Sequence, residues 1–210
     1  YTTATFSNIT FVGPKAAADF QNDKSYITGG DYFPNNGSGL GKFQSAMQIR
    51  RSSRLNCVNS VATDWPIGLI VDGEKGNTVE QANAGTLNRK NIYFANMDVV
   101  GTDANKCYED KEYDFKTKSV KADSEMSFSH RFFEKQDGNK YFADKSQLML
   151  TDGKGVGVPF MPQAGSLLFG AQNFDGLDSW FDQVTYIGAF NAGDNWLDGW
   201  TNFDPQNANY

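Results

Sequence analysis

Residues 46–73 read AMQIRRSSRLNCVNSVATDWPIGLIVDG. Three short apolar runs lie within them, parted by polar corners. Ala46–Arg51 alternates, with Met47 and Ile49 apolar. Leu55–Ala62 begins on one parity (Leu55, Cys57, Asn59) and departs from it at Val58 and Val61. Ile67–Asp72 is nearly all apolar. Short apolar runs bounded by turn residues suit buried parallel strands. The stretch therefore reads as consecutive sides of a coiled sheet.

The pattern recurs on both sides of it. SNITFVG (7–13), LNCVNSVATDW (55–65) and KNIYFANMDVVG (90–101) each set Asn beside a β-branched or aromatic run and end at a polar corner. A weak repeat of roughly twenty-odd residues, broken by corner loops of varying length, is how a parallel β-helix looks. Asn side chains at matching positions of such coils lie one strand spacing apart and hydrogen-bond to each other. The competing reading is a β-sandwich whose Asn residues mark turns.

With 210 residues the chain is long enough for one large all-β domain. Hydrophobic residues make up 39%, low for a compact α/β enzyme, but 17 Phe and a 14% aromatic share supply core material. The 21 Gly favour tight corners over long helices. A net charge of -6 argues against a nucleic-acid partner, which needs a basic face. No run approaches the length needed to span a bilayer. The chain begins at Tyr1 without a signal peptide, as a fragment or mature product of a longer protein would. Cys57 and Cys107 are the only cysteines. They permit one disulfide, closing a loop of about fifty residues and contributing roughly 4 kcal/mol, or they are two buried free thiols. Two cysteines and His130 make no structural zinc site without carboxylates.

The remaining segments attach to this frame. Residues 4–13 read as a strand, and 14–45 as a long Gly/Asn/Pro-dense loop with a short helix at Ala16–Phe20. Residues 74–86 are a polar loop, and Leu87–Gly101 resumes the strand pattern. Residues 102–123 are charged and poor in apolar residues, an excursion from the sheet. A helix is expected over Ser124–Gly138, capped by Ser124, with Phe128 and Phe132 on one face and Gly138 as its stop. From Ser166 the chain turns aromatic and holds Trp180, Trp196 and Trp200, three of its four Trp. A solenoid must cover its open end, and this tail reads as the cap.

Four segments resemble a family of secreted right-handed parallel β-helix proteins of Bacteroidota, lipoproteins or surface proteins often mislabelled as multidrug transporters. They are FSNITFVGP (6–14), residues 46–73, MPQAGSLLFGAQNF (161–174) and VTYIGAFNAGDNWLDGWTNFDPQNANY (184–210), which cover about half the chain. The tail is the most specific. Residues 102–123 have no counterpart. The resemblance implies the C-terminal part of a β-helix at the cell surface, on the extracellular face of the outer membrane. It carries over no activity.

Several residues are candidates for chemistry. Arg50, Arg51 and Arg54 form the one dense basic cluster, with Asp64 nearby. A β-helix lyase uses Arg or Lys to neutralise a uronate carboxylate, beside Ca²⁺ held by Asp. The alternative is outward arginines paired with neighbouring carboxylates. Asp64, Asp72, Asp98 and Asp103 end strand runs. A glycosidase pair would need two of them about 5–9.5 Å apart across a cleft, but Asp is common at corners for turn reasons. Asp72, Glu74 and Asn77 bring oxygen donors close enough to hold Ca²⁺ without the ladder of an EF-hand loop. Asp194, Asp198 and Asp204 are a weaker set of the same kind. Trp65, at the corner before Pro66, could stack on a sugar ring, as could the tail tryptophans if they do not pack as a cap.

The expectation is thus an all-β right-handed parallel β-helix in one domain. Coils would span 1–101, an excursion with one short helix 102–162, and the last coil and aromatic cap 163–210. The expected function is non-catalytic binding of a glycan, peptide or nutrient complex near an outer-membrane uptake system. It needs no cofactor, with Ca²⁺ admitted. The alternatives are a polysaccharide lyase or glycoside hydrolase, and a structural surface-layer component.

Overall fold

The computed structural model describes residues 2–17, 44–104, 107, 109–153, 160–202 and 205–207. The Ala16–Phe20 helix and the loop to residue 45 fall largely outside them, apart from a 3-10 turn at Pro14–Ala16.

Two parallel sheets form the body. The first is built from β1 (Thr5–Ser7), β2 (Thr10–Val12), β4 (Asn56–Thr63), β6 (Arg89–Ala95) and β10 (Lys140–Phe142). β1 and β2 both pair with β4, which pairs with β6, which pairs with β10. The second runs β3 (Ser45–Ile49), β5 (Ile67–Val71), β7 (Val99–Thr102). A small antiparallel hairpin, β8 (Tyr113–Asp114) and β9 (Ser119–Val120), lies in the charged stretch.

Asparagine explains the broken parity of Leu55–Ala62. Asn8, Asn59 and Asn91 have φ of 58°, 48° and 51°, the left-handed region that Asn tolerates better than most residues. By register they are neighbours across β1/β2, β4 and β6. One left-handed residue inside a strand resets which face the following side chains meet. Cys57 and Ala62, of opposite parity, accordingly both belong to the core between the sheets. So do Ile92 and Phe94, whereas Val61, Tyr93 and Ala95 belong to a second core on the outer face of the first sheet. The Asn59 amide accepts from Asn91 Nδ2 at 3.2 Å, so the asparagines are also a ladder. A second left-handed pair, Asp64 (φ 62°) and Asn96 (φ 54°), stands where the chain leaves β4 and β6 for the second sheet.

The all-β right-handed β-helix is corrected by this arrangement. Strands gather in several small sheets of mixed pairing, interrupted by helices α1 (Thr78–Asn83) and α2 (Phe128–Lys135) and by 3-10 turns. Among the described residues no regular coil repeats. Equivalent positions in the first sheet lie 51, 32 and 47 residues apart from one strand to the next. The charged stretch lacks the apolar residues that another buried strand needs, so it folds instead into the hairpin and the approach to α2.

The tail is also not an end cap. Leu168 and Ile187 pack on Val61, Tyr93 and Ala95, along the outer face of the first sheet. Asn59 holds the tail there, donating to Asn173 O at 3.0 Å and accepting from Asn173 N at 2.9 Å. It is α2 that packs on β5 and β7. Its Phe132 and Phe133 enter the inter-sheet core, where Phe133 stacks on Phe94 at 4.5 Å. The helix starts later than the expected Ser124, at a Ser127 cap whose hydroxyl accepts from His130 N at 3.0 Å. Two carboxylates complete that end. Asp110 accepts from Ser127 N and Oγ, and Asp103 from Phe128 N and Ser129 N.

Candidate functional site

The most exposed large aromatic among the described residues is Trp180, at 82%. A turn puts it there. Asp178 Oδ1 accepts from Trp180 N at 2.8 Å, and Asp178 O accepts from Phe181 N at 3.1 Å. The Phe181 ring meets the indole edge-on at 5.5 Å, fixing its plane without covering its face. Beside it runs a groove of about 610 Å³, walled on one side by Thr5, Ser7 and Asn8 of the first sheet's edge and on the other by Trp180, Asp182 and Tyr186. Asn8 Nδ2 donates to Tyr186 O at 2.7 Å and ties the two walls together.

Trp196 and Trp200 are exposed as well, the latter at 68%. Their indole N–H groups are used internally, donating to Ala189 O and Trp196 O. With Phe190 they form a stack of rings 5.8 Å apart. The tail tryptophans, expected to pack as a cap, are exposed instead. Trp65 is the reverse case. It is half-buried against the inter-sheet core, and Gly13 lacks a Cβ where one would stand 2.7 Å from its ring.

The other sequence candidates do not converge. Asp64, at the end of β4, is fully buried and bound by Lys145 Nζ (2.9 Å), Asn96 Nδ2 (2.7 Å) and Thr63 Oγ1 (2.8 Å). Asp72, at the end of β5, faces Gln48 Nε2 at 3.3 Å and Arg50 Nε at 3.8 Å, and also accepts from Glu74 N. The two carboxylates share no partner and end strands of different sheets. Arg51 is exposed at a left-handed turn residue, and Arg54 lies beyond the turn with its backbone N–H on Thr2 O. Lys15 takes Asp98, and α2 takes Asp103.

Asp72, Glu74 and Asn77 stand in the turn between β5 and α1. Asp72 is engaged as above, and Asn77 Oδ1 is buried without a partner. Among the described residues no three His, Cys, Asp or Glu side chains are grouped to hold a metal. Asp204 lies outside those residues. Of the two readings of the cysteines the structure has the second: Cys57 and Cys107 are free and buried. Cys57 points between the sheets and donates to Ser60 Oγ, whereas Cys107 follows β7 and donates to Glu109 O. Burial pushes both thiols above their ordinary pKa.

No protein-family model, no curated protein and no solved structure matches the chain. No helix among the described residues is long and apolar enough to cross a membrane.

The groove itself combines a free indole face with a polar rim of Thr5, Ser7, Asn8 and Asp182. Such a surface stacks on an apolar ring face and hydrogen-bonds to hydroxyls at its edge. Asp182 was not among the sequence candidates, and Tyr186 was read only as part of the tail motif. Nothing local marks them, because they meet the first sheet's edge from far along the chain.

Proposed function

We propose that the chain is a non-catalytic carbohydrate-binding protein of the cell surface, taking a glycan along the Trp180 groove. The observation that carries this is Trp180 itself, 82% exposed and held in place by the Asp178 turn and the Phe181 ring. An open aromatic face beside a groove with a few polar groups at its rim is a surface on which a sugar ring can stack and hydrogen-bond. A flat indole with a rim of small hydroxyl and amide groups suits a sugar ring better than a peptide backbone. The surface setting, on the outer membrane near an uptake system, rests on the likeness of residues 6–14, 46–73, 161–174 and 184–210 to Bacteroidota surface proteins.

The test is a glycan array on the full chain, run with Ca²⁺ and with chelator, beside Trp180→Ala. Binding of one glycan class, reduced at least about tenfold by Trp180→Ala with the melting temperature unchanged, is the expected result. Equal binding by the variant would remove the groove from the site. Binding that disappears with chelator would point to Asp72, Glu74 and Asn77 as ion ligands instead.

A further inference from the structure

Charge is unevenly shared along the chain, and the Trp180 groove lies at its acidic extreme. The groove is walled by residues 5–8 of the first sheet's edge and residues 180–186 of the tail. No Lys or Arg occurs in residues 1–14 or 155–210, whereas the tail carries Asp175, Asp178, Asp182, Asp194, Asp198 and Asp204. All 19 Lys and Arg lie between Lys15 and Lys154, where the remaining 19 of the 25 Asp and Glu balance them. The net charge of -6 is therefore the charge of the tail.

Asp182 is the one charged residue among the described residues that line the groove. It is exposed. Its backbone carbonyl accepts from Val184 N, but its carboxylate takes no hydrogen bond or ion pair among the described residues. Asp178 differs, because its Oδ1 is spent on the turn that presents Trp180. A second acid acts on the groove from outside its lining. Burial first, and then the charge of Asp194, raise the Tyr186 phenol above its ordinary pKa. An unpaired carboxylate beside an open indole face attracts a cation in two ways, by its charge and through the ring's quadrupole. The same pair repels an anion, and no cation lines the groove to offset that.

We propose that the groove selects amino-sugar glycans, chains of glucosamine with free amines, over N-acetylated and uronic chains. This rests on the reading of the Trp180 groove as a glycan site and names its substrate class. One ring stacks its apolar face on Trp180, and a ring ammonium pairs with Asp182. Acetylation removes the charge from that nitrogen and leaves it a single N–H. A uronate sets its own carboxylate against Asp182, and like charges at close range are unfavourable.

The test is calorimetric titration of the full chain with equal-length oligomers of glucosamine, N-acetylglucosamine and galacturonate, at a pH that keeps the amines protonated. The glucosamine oligomer is expected to bind at least about fivefold tighter than its N-acetylated counterpart, and the galacturonate oligomer not to bind measurably. Asp182→Asn is expected to bring the first two within about twofold of each other. Asp123→Asn, the same loss of charge at an exposed position outside the groove, is expected to keep the preference. Equal binding of the amino and N-acetylated oligomers by the wild-type chain, or comparable binding of galacturonate, would overturn the proposal and leave the groove a glycan site. A preference that survives Asp182→Asn, or that Asp123→Asn removes equally, would overturn it too. If none of the three binds while another glycan on the array does, only this proposal fails; if no glycan binds at all, the carbohydrate reading fails with it.

Discussion

Asp64 and Arg89 are both buried charges of the first sheet, and they are treated in opposite ways. Asp64 sits where the chain leaves β4, with Lys145, Asn96 and Thr63 gathered round its two oxygens. Arg89 sits at the start of β6, with one nitrogen bonded to backbone carbonyls and two others unmet. Removing a charge from water costs several kcal/mol unless partners replace the water. The first case meets that cost within the chain and is architecture. The second meets it only in part, leaving Nε and Nη2 without partners.

The contrast can be broken at its strong end first. Lys145→Met strands the Asp64 carboxylate, and a loss of about 3–5 kcal/mol is expected in chemical denaturation. Asp64→Asn should cost much less, because the Lys145 side chain is 45% exposed and its ammonium can turn to water. Equal losses would mean that the lysine's burial governs the pair.

Asp110 is an intermediate case, half-buried beside His130 Nδ1 at 2.5 Å. Burial pushes its carboxyl up, but bonds from His130 and Ser127 outweigh burial and hold it below the ordinary range. A folded-state pKa below the unfolded one means stability present above about pH 4 and lost as pH falls through the folded value. Asp110→Asn is expected to cost about 1–2 kcal/mol at neutral pH and to flatten the acid limb of the stability–pH curve. An unchanged acid limb would show that the pair does not report on folding.

Arg89→Met should move stability least among the charged positions. A value within about 1 kcal/mol of wild type, or a gain, is expected from denaturation, since an incompletely paired charge is replaced by apolar volume. A loss of several kcal/mol would make Arg89 architecture like Asp64. At the far end of the scale, Trp180→Ala is expected to change stability by no more than about 0.5 kcal/mol, as an exposed turn residue should.

Much of the local frame was legible in advance. The apolar runs over 46–49, 67–71 and 89–95 are strands because short β-branched and aromatic segments between turn residues have few other ways to bury themselves. The recurring asparagines were visible as a pattern. Their left-handed backbone was not, and that is what resets the faces of β4 and β6. The candidate site was hardly legible at all. Trp180 stood out as a residue, but its exposure depends on what fails to pack above it. Asp64 and Arg50 looked alike as charged neighbours in sequence, yet they belong to the ends of different sheets.

By itself the sequence determined where short strands form, that Asn and Asp take the tight corners, and that the chain is acidic, with a net charge of -6. These follow from side-chain shape and charge, which act over a few residues. Only the tertiary structure decided that the strands divide between small sheets interrupted by helices instead of one all-β coil. It also decided that α2 packs on β5 and β7, that the cysteines stay apart, and that Arg89 Nε and Nη2 are left without hydrogen-bond partners. Those outcomes depend on which distant segments meet, and pairings across 32, 47, 51 or more than 100 residues leave no local mark.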